Sequence, residues 1–174
     1  MIILIGPSAS GKTAVGRILE KKYNIKKVVT YTTRNMRENE IDGIDYHFIS
    51  KEEFLEKKNN NFFFETMAYA NNYYGTSIES LNCDSYLILD LNGYKNYKNS
   101  SIKFSAFFFN TDKKERERRM ILRGDLKESI AQRLSLDDSK FDINNIDFDG
   151  EIIDSTNISI EEVADIVYKK YKGL

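Results

Sequence analysis

The sequence predicts an α/β fold in which a parallel β-sheet is covered by helices on both faces. Short apolar segments typical of buried strands begin the chain and recur around residues 88, 106 and 152, and helical segments alternate with them. The first apolar segment, residues 2–5, runs directly into a glycine-rich loop and then into a helix. Residues 30–83 break this rhythm, because their strands follow one another closely with few helices between them. We therefore expect one main sheet and a smaller β-rich insert.

The glycine-rich loop has the complete phosphate-binding pattern G-x-x-x-x-G-K-[ST]. Its glycines allow several backbone N–H groups to surround a phosphate, and the following helix contributes the positive end of its dipole. The lysine supplies a cation for the β- and γ-phosphates, and the threonine hydroxyl can ligate Mg²⁺. The chain is therefore predicted to bind ATP or a similar nucleoside triphosphate through Gly6, Pro7, Ser8, Ala9, Ser10, Gly11, Lys12 and Thr13.

Apolar and alternating segments predict the remaining strands. Continuous apolar runs indicate strands buried on both faces, and alternation of apolar with polar residues indicates a half-buried strand. Polar breaks rich in asparagine separate several of these segments and are typical of turns. The expected strands occupy residues 27–31, 44–49, 62–69, 73–76, 86–89, 104–109 and 151–154.

Cap residues and charge predict the helices. Ser50 lies three residues before Glu53, which is the spacing of a capping box, and Ser159 precedes Glu162 in the same way. Asp112 is expected to open a strongly charged helix. The expected helices follow the phosphate-binding loop, cover residues 50–58, lie near 77–81, cover 112–123 and 126–136, and run from 159 to the end of the sequence.

Length and composition indicate one globular domain. The chain has 174 residues, of which 41% are apolar and 30% charged, enough for a single buried core. Its net charge of −1 gives no general reason to expect a nucleic acid or a membrane surface as a partner. The lone Cys83 excludes an intramolecular disulfide and a cysteine metal site. Without a visible secretory signal or a bilayer-length apolar run, we expect a cytoplasmic protein.

A second informative segment, residues 32–48, lies within the β-rich insert. Arg34 and Arg37 are three residues apart, so a loop or a helical turn can direct both guanidinium groups at one phosphate; a solvated charged loop is the alternative. The segment resembles, at every fixed position, the acceptor motif of the guanylate kinase family, T-T-R-x-x-R-x-x-E-x-x-G-x-[DE]-Y-x-F. The resemblance covers about residues 2–136 and implies a P-loop NTPase-type parallel sheet with a mixed-β nucleotide-binding insert and a helical lid. It implies a core of about residues 1–29, 84–111 and 139–174, a GMP-binding insert of about 30–83 and a lid of about 112–138.

The resemblance continues with a glutamate and, nine residues on, the sequence Y-Y-G-T-S. In this family the glutamate, here Glu65, holds the Watson–Crick edge of guanine. The chemistry suits that role, because guanine offers N1–H and N2–H₂ as adjacent donors to one carboxylate and adenine does not. By the same resemblance Thr76 contacts the base. The acceptor phosphate would be held by Thr30, Arg34, Arg37, Tyr46 and Tyr74.

Asp90 ends an apolar strand, where the family has an acid that orients Mg²⁺-bound water. We expect Thr13 to ligate Mg²⁺ directly and Asp90 to act through water. The family usually shows D-x-D-x-x-G here, whereas this chain has Asp-Leu-Asn-Gly at residues 90–93. Asn92 stands where a second base-contacting aspartate is expected. Its carbonyl can accept from the guanine amino group without charge, so Asp90 and Asn92 are assigned to the GMP site with weaker guanine selectivity.

Arginines form a stripe on the charged helix. Arg116, Arg119 and Arg123 are spaced to lie on one face, where like charges repel, so the stripe makes more sense opposite an anion than as a solvated face, which is the alternative. The lid of guanylate kinases is similar, and Arg119, Arg123 and Arg133 match its arginines. The expected catalytic residues are therefore Lys12, Arg34, Arg119, Arg123 and Arg133.

The resemblance implies a guanylate kinase that uses ATP with Mg²⁺ to phosphorylate GMP or dGMP. Two alternatives stay open at this point. A kinase for another nucleoside monophosphate is favoured only by the altered residues 90–93. A non-catalytic binding module of the same fold is opposed by the intact Lys12 and Thr13. The sequence leaves the choice between a monomer and a homodimer open.

Overall fold

The fold is described from a computed structural model that covers residues 1–69, 71–81, 84–143 and 145–173, so Cys83 lies outside the described residues. The strands are β1 (Ile2–Ile5), β2 (Lys26–Lys27), β3 (Tyr31–Thr32), β4 (His47–Phe48), β5 (Phe63–Tyr69), β6 (Asn72–Ser77), β7 (Ser85–Leu89), β8 (Ser105–Asn110) and β9 (Glu151–Asp154). The helices are α1 (Lys12–Tyr23), α2 (Lys51–Asn59), α3 (Leu91–Lys98), α4 (Lys113–Leu122), α5 (Lys127–Lys140) and α6 (Ile160–Lys172), with a 3-10 turn at Ile78–Ser80.

The main sheet is parallel throughout, with the strand order β2-β7-β1-β8-β9. Its central strand β1 is buried at every residue, as its unbroken apolar sequence predicts. Ile5 is in register with Leu89 of β7 and with Phe108 of β8, so the carboxyl ends of these strands meet at one edge. Ligands of open parallel sheets bind outside that edge.

The predicted α/β fold is confirmed.

Helices cover both faces of the main sheet. Successive β1 side chains point to opposite faces and therefore enter two separate clusters. One cluster joins β1 to α1 and α6 through Ile2, Leu4, Val15, Leu19, Val163 and Val167. The other joins β1 to α3 through Ile3, Ile5, Tyr94 and Tyr97. Helix α1 packs closely on β7 at Gly16, where a Cβ would lie 2.3 Å from the Tyr86 ring.

A second, mixed sheet lies within the predicted insert, with the order β4-β3-β6-β5. β3 pairs with β4 in parallel, whereas β6 pairs with β3 and β5 in antiparallel fashion. Helix α2 is fixed to this sheet through Phe54, whose ring stacks on Phe63 with the centroids 4.6 Å apart. The expectation of closely spaced, mixed strands is therefore confirmed.

The predicted strand at residues 27–31 is wrong as a single element. Lys26–Lys27 belongs to the main sheet, and just beyond it the Val28 N–H donates to the Tyr86 carbonyl at 2.8 Å. Tyr31–Thr32 pairs instead with β4 and β6. One extended run thus serves two sheets. Side-chain periodicity shows that the run is extended, but it does not show that the pairing partner changes.

Other elements differ in extent from their predictions. β4 is shorter than residues 44–49, because the Gly43 N–H donates to the Tyr46 carbonyl and closes a turn just before it. The short helix expected near residue 77 is a 3-10 turn. Helix α3 was not predicted at all. It begins at Asp90, whose side chain accepts the Gly93 N–H at 2.9 Å.

The remaining helices follow their predicted caps. Ser50 accepts the Glu53 N–H at 3.1 Å at the start of α2, and Ser159 and Glu162 form a complete capping box for α6. The charged helix is α4, and α5 continues past the expected residue 136 to Lys140. In the parts of the chain listed above, no helix combines the length and the apolarity needed to cross a membrane.

Candidate active site

The phosphate-binding loop joins β1 to α1 at the carboxyl edge of the main sheet. Gly6 and Gly11 have φ angles of 148° and 98°, in the region that side chains rarely adopt. At Gly6 a Cβ would also lie 2.8 Å from the Phe109 carbonyl oxygen of β8. Glycine is therefore required at the first position for the close approach to β8 as well as for the backbone angle.

Lys12 is folded back over this loop. Its Nζ donates to the carbonyls of Gly6 at 2.6 Å and Pro7 at 2.7 Å. Burial lowers the pKa of Lys12 to about 8, while the charge of Asp137 raises it and that of Arg116 lowers it further. A phosphate would offer Lys12 charged acceptors in place of neutral carbonyls. Hydrogen bonds to charged acceptors are the stronger ones.

The three predicted lid arginines line the main cleft together with the loop. Arg119 donates through Nη1 to the Ala9 carbonyl of the loop at 3.3 Å. Arg123 and Arg133 converge on the carboxylate of Asp125, at 2.5 and 3.6 Å. The hydrogen bonds from Arg123 hold the pKa of Asp125 below its ordinary value. These arginines are thus already gathered at the cleft and held by protein acceptors.

Arg116, the remaining member of the stripe, does not face the cleft. It is 5% exposed, and it donates to the Asp137 carboxylate at 3.2 Å and to the Thr111 carbonyl at 3.2 Å. The anion that the stripe was expected to face is therefore, for Arg116, a side chain of the protein. For Arg116, the alternative interpretation as part of a solvated helix face is therefore wrong.

Glu65 projects from β5 into a smaller cavity. It is 7% exposed, and its Oε1 accepts from the Thr76 hydroxyl at 2.6 Å. Its buried Oε2 has no hydrogen-bond partner among the described residues. Burial raises the pKa of Glu65, the Thr76 hydrogen bond opposes that rise, and the charge of Asp90 adds to it. A buried acceptor without a partner is costly, and Glu65 lines the smaller cavity, so its carboxylate is a candidate acceptor for a donor on a ligand.

Arg34 and Arg37 are both held by Glu40. The Arg34 guanidinium lies 2.7 Å from the Glu40 carboxylate, which also accepts the Arg37 backbone N–H at 2.8 Å. Burial favours a higher pKa for Glu40, but the hydrogen bonds from both arginines outweigh it and lower the pKa. Arg34 also lies over the rings of Tyr46 and Phe48, at 5.5 and 5.6 Å from their centroids. Arg37 lines the main cleft, whereas Arg34 lines neither the main cleft nor the smaller cavity.

The second sheet gathers the other predicted acceptor residues. The Tyr46 and Tyr74 rings lie 6.1 Å apart, and Thr30 and Tyr46 line both the main cleft and the smaller cavity. Residues that were scattered over the sequence therefore surround one space. The predicted members that line the smaller cavity are Thr30, Tyr46, Glu65, Tyr74, Thr76 and Asp90.

Asp90 and Asn92 have different positions. Asp90 lines the smaller cavity and also caps α3, with its Oδ1 accepting the Gly93 N–H. Asn92 is exposed in the first turn of α3 and lines neither of the two cavities. The structure therefore does not bring Asn92 together with the other predicted base contacts.

The main cleft and the smaller cavity adjoin each other. The main cleft has a volume of about 1300 Å³ and the smaller cavity about 290 Å³. Lys12 and Thr13 line both, so the phosphate loop lies where the two meet. Away from this junction the main cleft extends past Arg118 to residues 156–160.

A family model described as guanylate kinase matches residues 1–170. The chain belongs to the guanylate kinase family. A guanylate kinase from Prochlorococcus marinus is 36% identical to it over 178 residues, covering 97% of this chain and 95% of the relative. A guanylate kinase from Wolinella succinogenes is 40% identical over 144 residues, covering 77% of this chain and 67% of the relative.

One solved structure agrees with the guanylate kinase assignment, and another shows the fold alone. The crystal structure of guanylate kinase from Anaplasma phagocytophilum has a TM-score of 0.74 and 25% identity, covering 99% of this chain and 84% of that one. A gluconokinase from Sinorhizobium meliloti, with a TM-score of 0.53 and 12% identity, shares the fold alone. The likeness to the first structure thus extends over the core, the second sheet and the helices α4 and α5.

Three carboxylates that the sequence analysis left without a role organise the basic groups of this guanylate kinase. Glu40 holds Arg34 and Arg37, and its signal was its fixed place in the acceptor motif. Asp125 is only two residues from Arg123, a local signal for pairing. Asp137 contacts the Ser8 amide across 129 residues of sequence, and nothing local indicates that contact.

Proposed function

We propose that this guanylate kinase transfers the γ-phosphoryl group of ATP to GMP or dGMP, giving ADP and the nucleoside diphosphate. The observation that carries the proposal is Glu65, which lines a cavity that adjoins the phosphate loop and whose buried Oε2 has no hydrogen-bond partner among the described residues. Guanine supplies two adjacent donors for such a carboxylate, whereas adenine would leave it unpaired. A different monophosphate kinase and a non-catalytic module are not favoured, because the relatives are named guanylate kinases and the loop is intact.

In the proposed transfer an oxygen of the GMP phosphate attacks the γ-phosphorus, and the bond from that phosphorus to the β,γ-bridging oxygen breaks. The attacking phosphate is anionic near neutral pH, so no general base is required. The protein's task is to align the two phosphates and to offset their charge. Lys12 would act on the donor side and Arg34 with Arg37 on the acceptor side. The arginines of α4 and α5 would close over the transferring group.

We propose that Mg²⁺ accompanies ATP, with Thr13 as a direct ligand and Asp90 acting through water. The donor set fits, because both are oxygen ligands on the wall of the smaller cavity, and the Thr13 side chain is exposed. Within the described residues no group of three or more acidic, histidine or cysteine side chains could hold an ion. The triphosphate would therefore supply much of the coordination. When bound, the ion would offset charge on the phosphates.

The setting of the enzyme is also a proposal. Its near-neutral net charge and its sparse cysteine content favour a cytoplasmic enzyme that acts on small nucleotides without a nucleic-acid or membrane partner. Both a monomer and a homodimer are compatible with this function.

A nucleotide panel tests the proposal. Turnover is measured with ATP and each of GMP, dGMP, AMP, CMP and UMP, with Mg²⁺ and with excess chelator. The expected result is turnover with GMP or dGMP far above the other acceptors, and only with Mg²⁺. Faster turnover with AMP would contradict the assignment of Glu65. Undiminished turnover in chelator would contradict the metal site.

A further inference from the structure

The phosphate loop is held from the side of α4 and α5 by two buried residues that the transfer does not use. The Ser8 N–H of the loop donates to the Asp137 carboxylate at 2.8 Å. The same carboxylate oxygen accepts from Arg116 at 3.2 Å. Asp137 is 4% and Arg116 5% exposed. A buried ion pair formed by one residue from each helix therefore ends on an amide of the phosphate loop.

Arg116 is itself fixed in place. Its Nε donates to the carbonyl of Thr111, the residue that follows β8. The Thr111 hydroxyl is bonded to the Ser155 hydroxyl at 2.6 Å and lies 3.5 Å from the Ser10 carbonyl of the loop. The guanidinium is thus oriented by the carboxyl end of the main sheet. It can hold the Asp137 carboxylate in only a narrow range of positions.

Consecutive residues of the loop are therefore held by residues outside it. Asp137 holds the amide of Ser8, and Arg119 holds the carbonyl of Ala9. A phosphate loop binds through backbone N–H groups that must be correctly aimed. Fixing the backbone before the ligand arrives reduces the ordering cost of binding.

We propose that Asp137 is a positioning residue of the phosphate loop, held in place by Arg116, and that the pair links helices α4 and α5 to ATP binding. The inference rests on the proposed function, in which this loop binds ATP. Asp137 supplies the acceptor that fixes Ser8. Arg116 balances the charge of Asp137, so that the carboxylate does not repel the incoming triphosphate.

The test is a double variant, Arg116→Met with Asp137→Leu. It removes both charges at once, leaves the net charge unchanged and replaces a buried ion pair by apolar groups of similar size, which folds often tolerate. This balance matters, because the two charges act on Lys12 with opposite signs. The matched control is Lys170→Met with Glu151→Leu, which also removes one charge of each sign. Lys170 lies 2.9 Å from Glu151 in an exposed pair that lines neither the main cleft nor the smaller cavity.

Calorimetric titration with ATP and, separately, with GMP gives the result. We expect the double variant to bind ATP about tenfold more weakly, the typical effect of losing a hydrogen bond to a charged group. Its GMP affinity and both affinities of the control should match the unsubstituted protein. Unchanged ATP affinity in a folded double variant would mean that the pair contributes only to packing, and it would overturn the inference. Tighter ATP binding would overturn it in another way, because Asp137 would then be a competitor of phosphate.

Two further measurements keep the inference separate from folding and from the proposed function. If the double variant fails to fold, amide hydrogen exchange at Ser8 in the unsubstituted, nucleotide-free protein decides. We expect slowed exchange there, and exchange at the rate of an unstructured peptide would overturn the inference. If the unsubstituted protein binds GMP but no ATP, the proposed function itself fails.

Discussion

The proposed donor and acceptor halves of the cleft are built in different ways. The donor half is one contiguous segment, residues 6–13, which uses its own backbone amides and Lys12. The acceptor half is assembled from side chains on separate elements, such as Glu65 on β5 and Thr76 on β6. A contiguous site depends on local backbone angles, whereas an assembled site depends on a correctly paired sheet. Substitutions in the two halves should therefore affect different substrates.

The largest effect is expected on the donor side, from Lys12→Ala. We expect kcat to fall by about 10³-fold or more, because the charge that offsets the transferring phosphates is lost. The fold should stay intact, as thermal unfolding would show. Lys22→Ala, at an exposed lysine of the same helix, is the control and should leave turnover unchanged. A rate for Lys12→Ala within about tenfold of the unsubstituted enzyme, or about 1.4 kcal/mol of barrier, would contradict the role of Lys12.

The next largest effect is expected on the acceptor side, from Glu65→Ala. We expect GMP affinity to fall about 100-fold with ATP affinity unchanged, because the donor edge of guanine loses a buried carboxylate. Calorimetric titration with each nucleotide measures both. Glu79→Ala, at an exposed glutamate just beyond β6, is the matched control. Equal losses for GMP and ATP would remove Glu65 from the base pocket and break the contrast between the two halves.

A smaller effect is expected from Glu40→Gln, which keeps the shape of Glu40 and removes its charge. We expect KM for GMP to rise about tenfold while KM for ATP stays constant, because Arg34 and Arg37 lose the carboxylate that positions them. Glu38→Gln makes the same charge change at an exposed neighbour. A lower KM for GMP would mean that Glu40 competes with the acceptor phosphate.

The smallest effect is a pH dependence confined to the acceptor side. Burial raises the pKa of Glu65, so the carboxylate should gain a proton at a higher pH than an ordinary glutamate and lose one of its acceptor positions. GMP affinity should fall as the pH is lowered through the raised pKa of Glu65. At each pH the GMP affinity of the unsubstituted protein is divided by that of Glu65→Gln. The ratio cancels the effect of GMP phosphate ionisation, because that ionisation affects both proteins equally. A flat ratio would contradict the prediction.

The raised pKa of Glu65 also makes stability depend on pH, in the opposite direction to GMP affinity. A carboxyl whose pKa is raised by folding favours the folded state at low pH. That contribution is lost as the pH rises through the folded pKa of Glu65. The free energy of unfolding should therefore rise in Glu65→Gln relative to the unsubstituted protein at neutral pH, where the unsubstituted protein must bury a charge. Denaturant unfolding at several pH values measures the difference.

The sequence predicted the parts of the fold whose signals are local. The apolar β1, its loop and α1 follow one another in a pattern typical of a buried strand, a phosphate-binding turn and a helix. The division of residues 27–31 between two sheets is not visible in any local pattern. Helix α3 was missed because Asn92 and Gly93 are weak helix formers, so its stability depends on burial of Tyr94 and Tyr97.

The candidate site divides in the same way. The phosphate loop could be predicted from spacing and chemistry. Most acceptor residues were assigned through the family resemblance, and the spacing of Arg34 and Arg37 was the local signal for a phosphate there. The contact between Thr76 and Glu65 depends on the antiparallel register of β5 and β6. The burial of Arg116 depends on how α4 packs on α5, so its stripe on the helix predicted an anion without identifying Asp137. Assignment of these residues to substrates stays a prediction until the variants are measured.

The buried pair of Arg116 and Asp137 also constrains how this sequence can diverge. Replacing Arg116 alone leaves the buried Asp137 carboxylate without its cation, and replacing Asp137 alone leaves Arg116 only the more distant Asp138, at 3.6 Å. Breaking a buried ion pair in this way typically costs about 3–5 kcal/mol. A whole domain is stable by only about 5–15 kcal/mol. Single replacements should therefore be strongly destabilising, whereas a joint exchange for two apolar residues avoids the unpaired charge but, on our proposal, weakens ATP binding. In descendants of this chain the two positions should be inherited or lost as a unit.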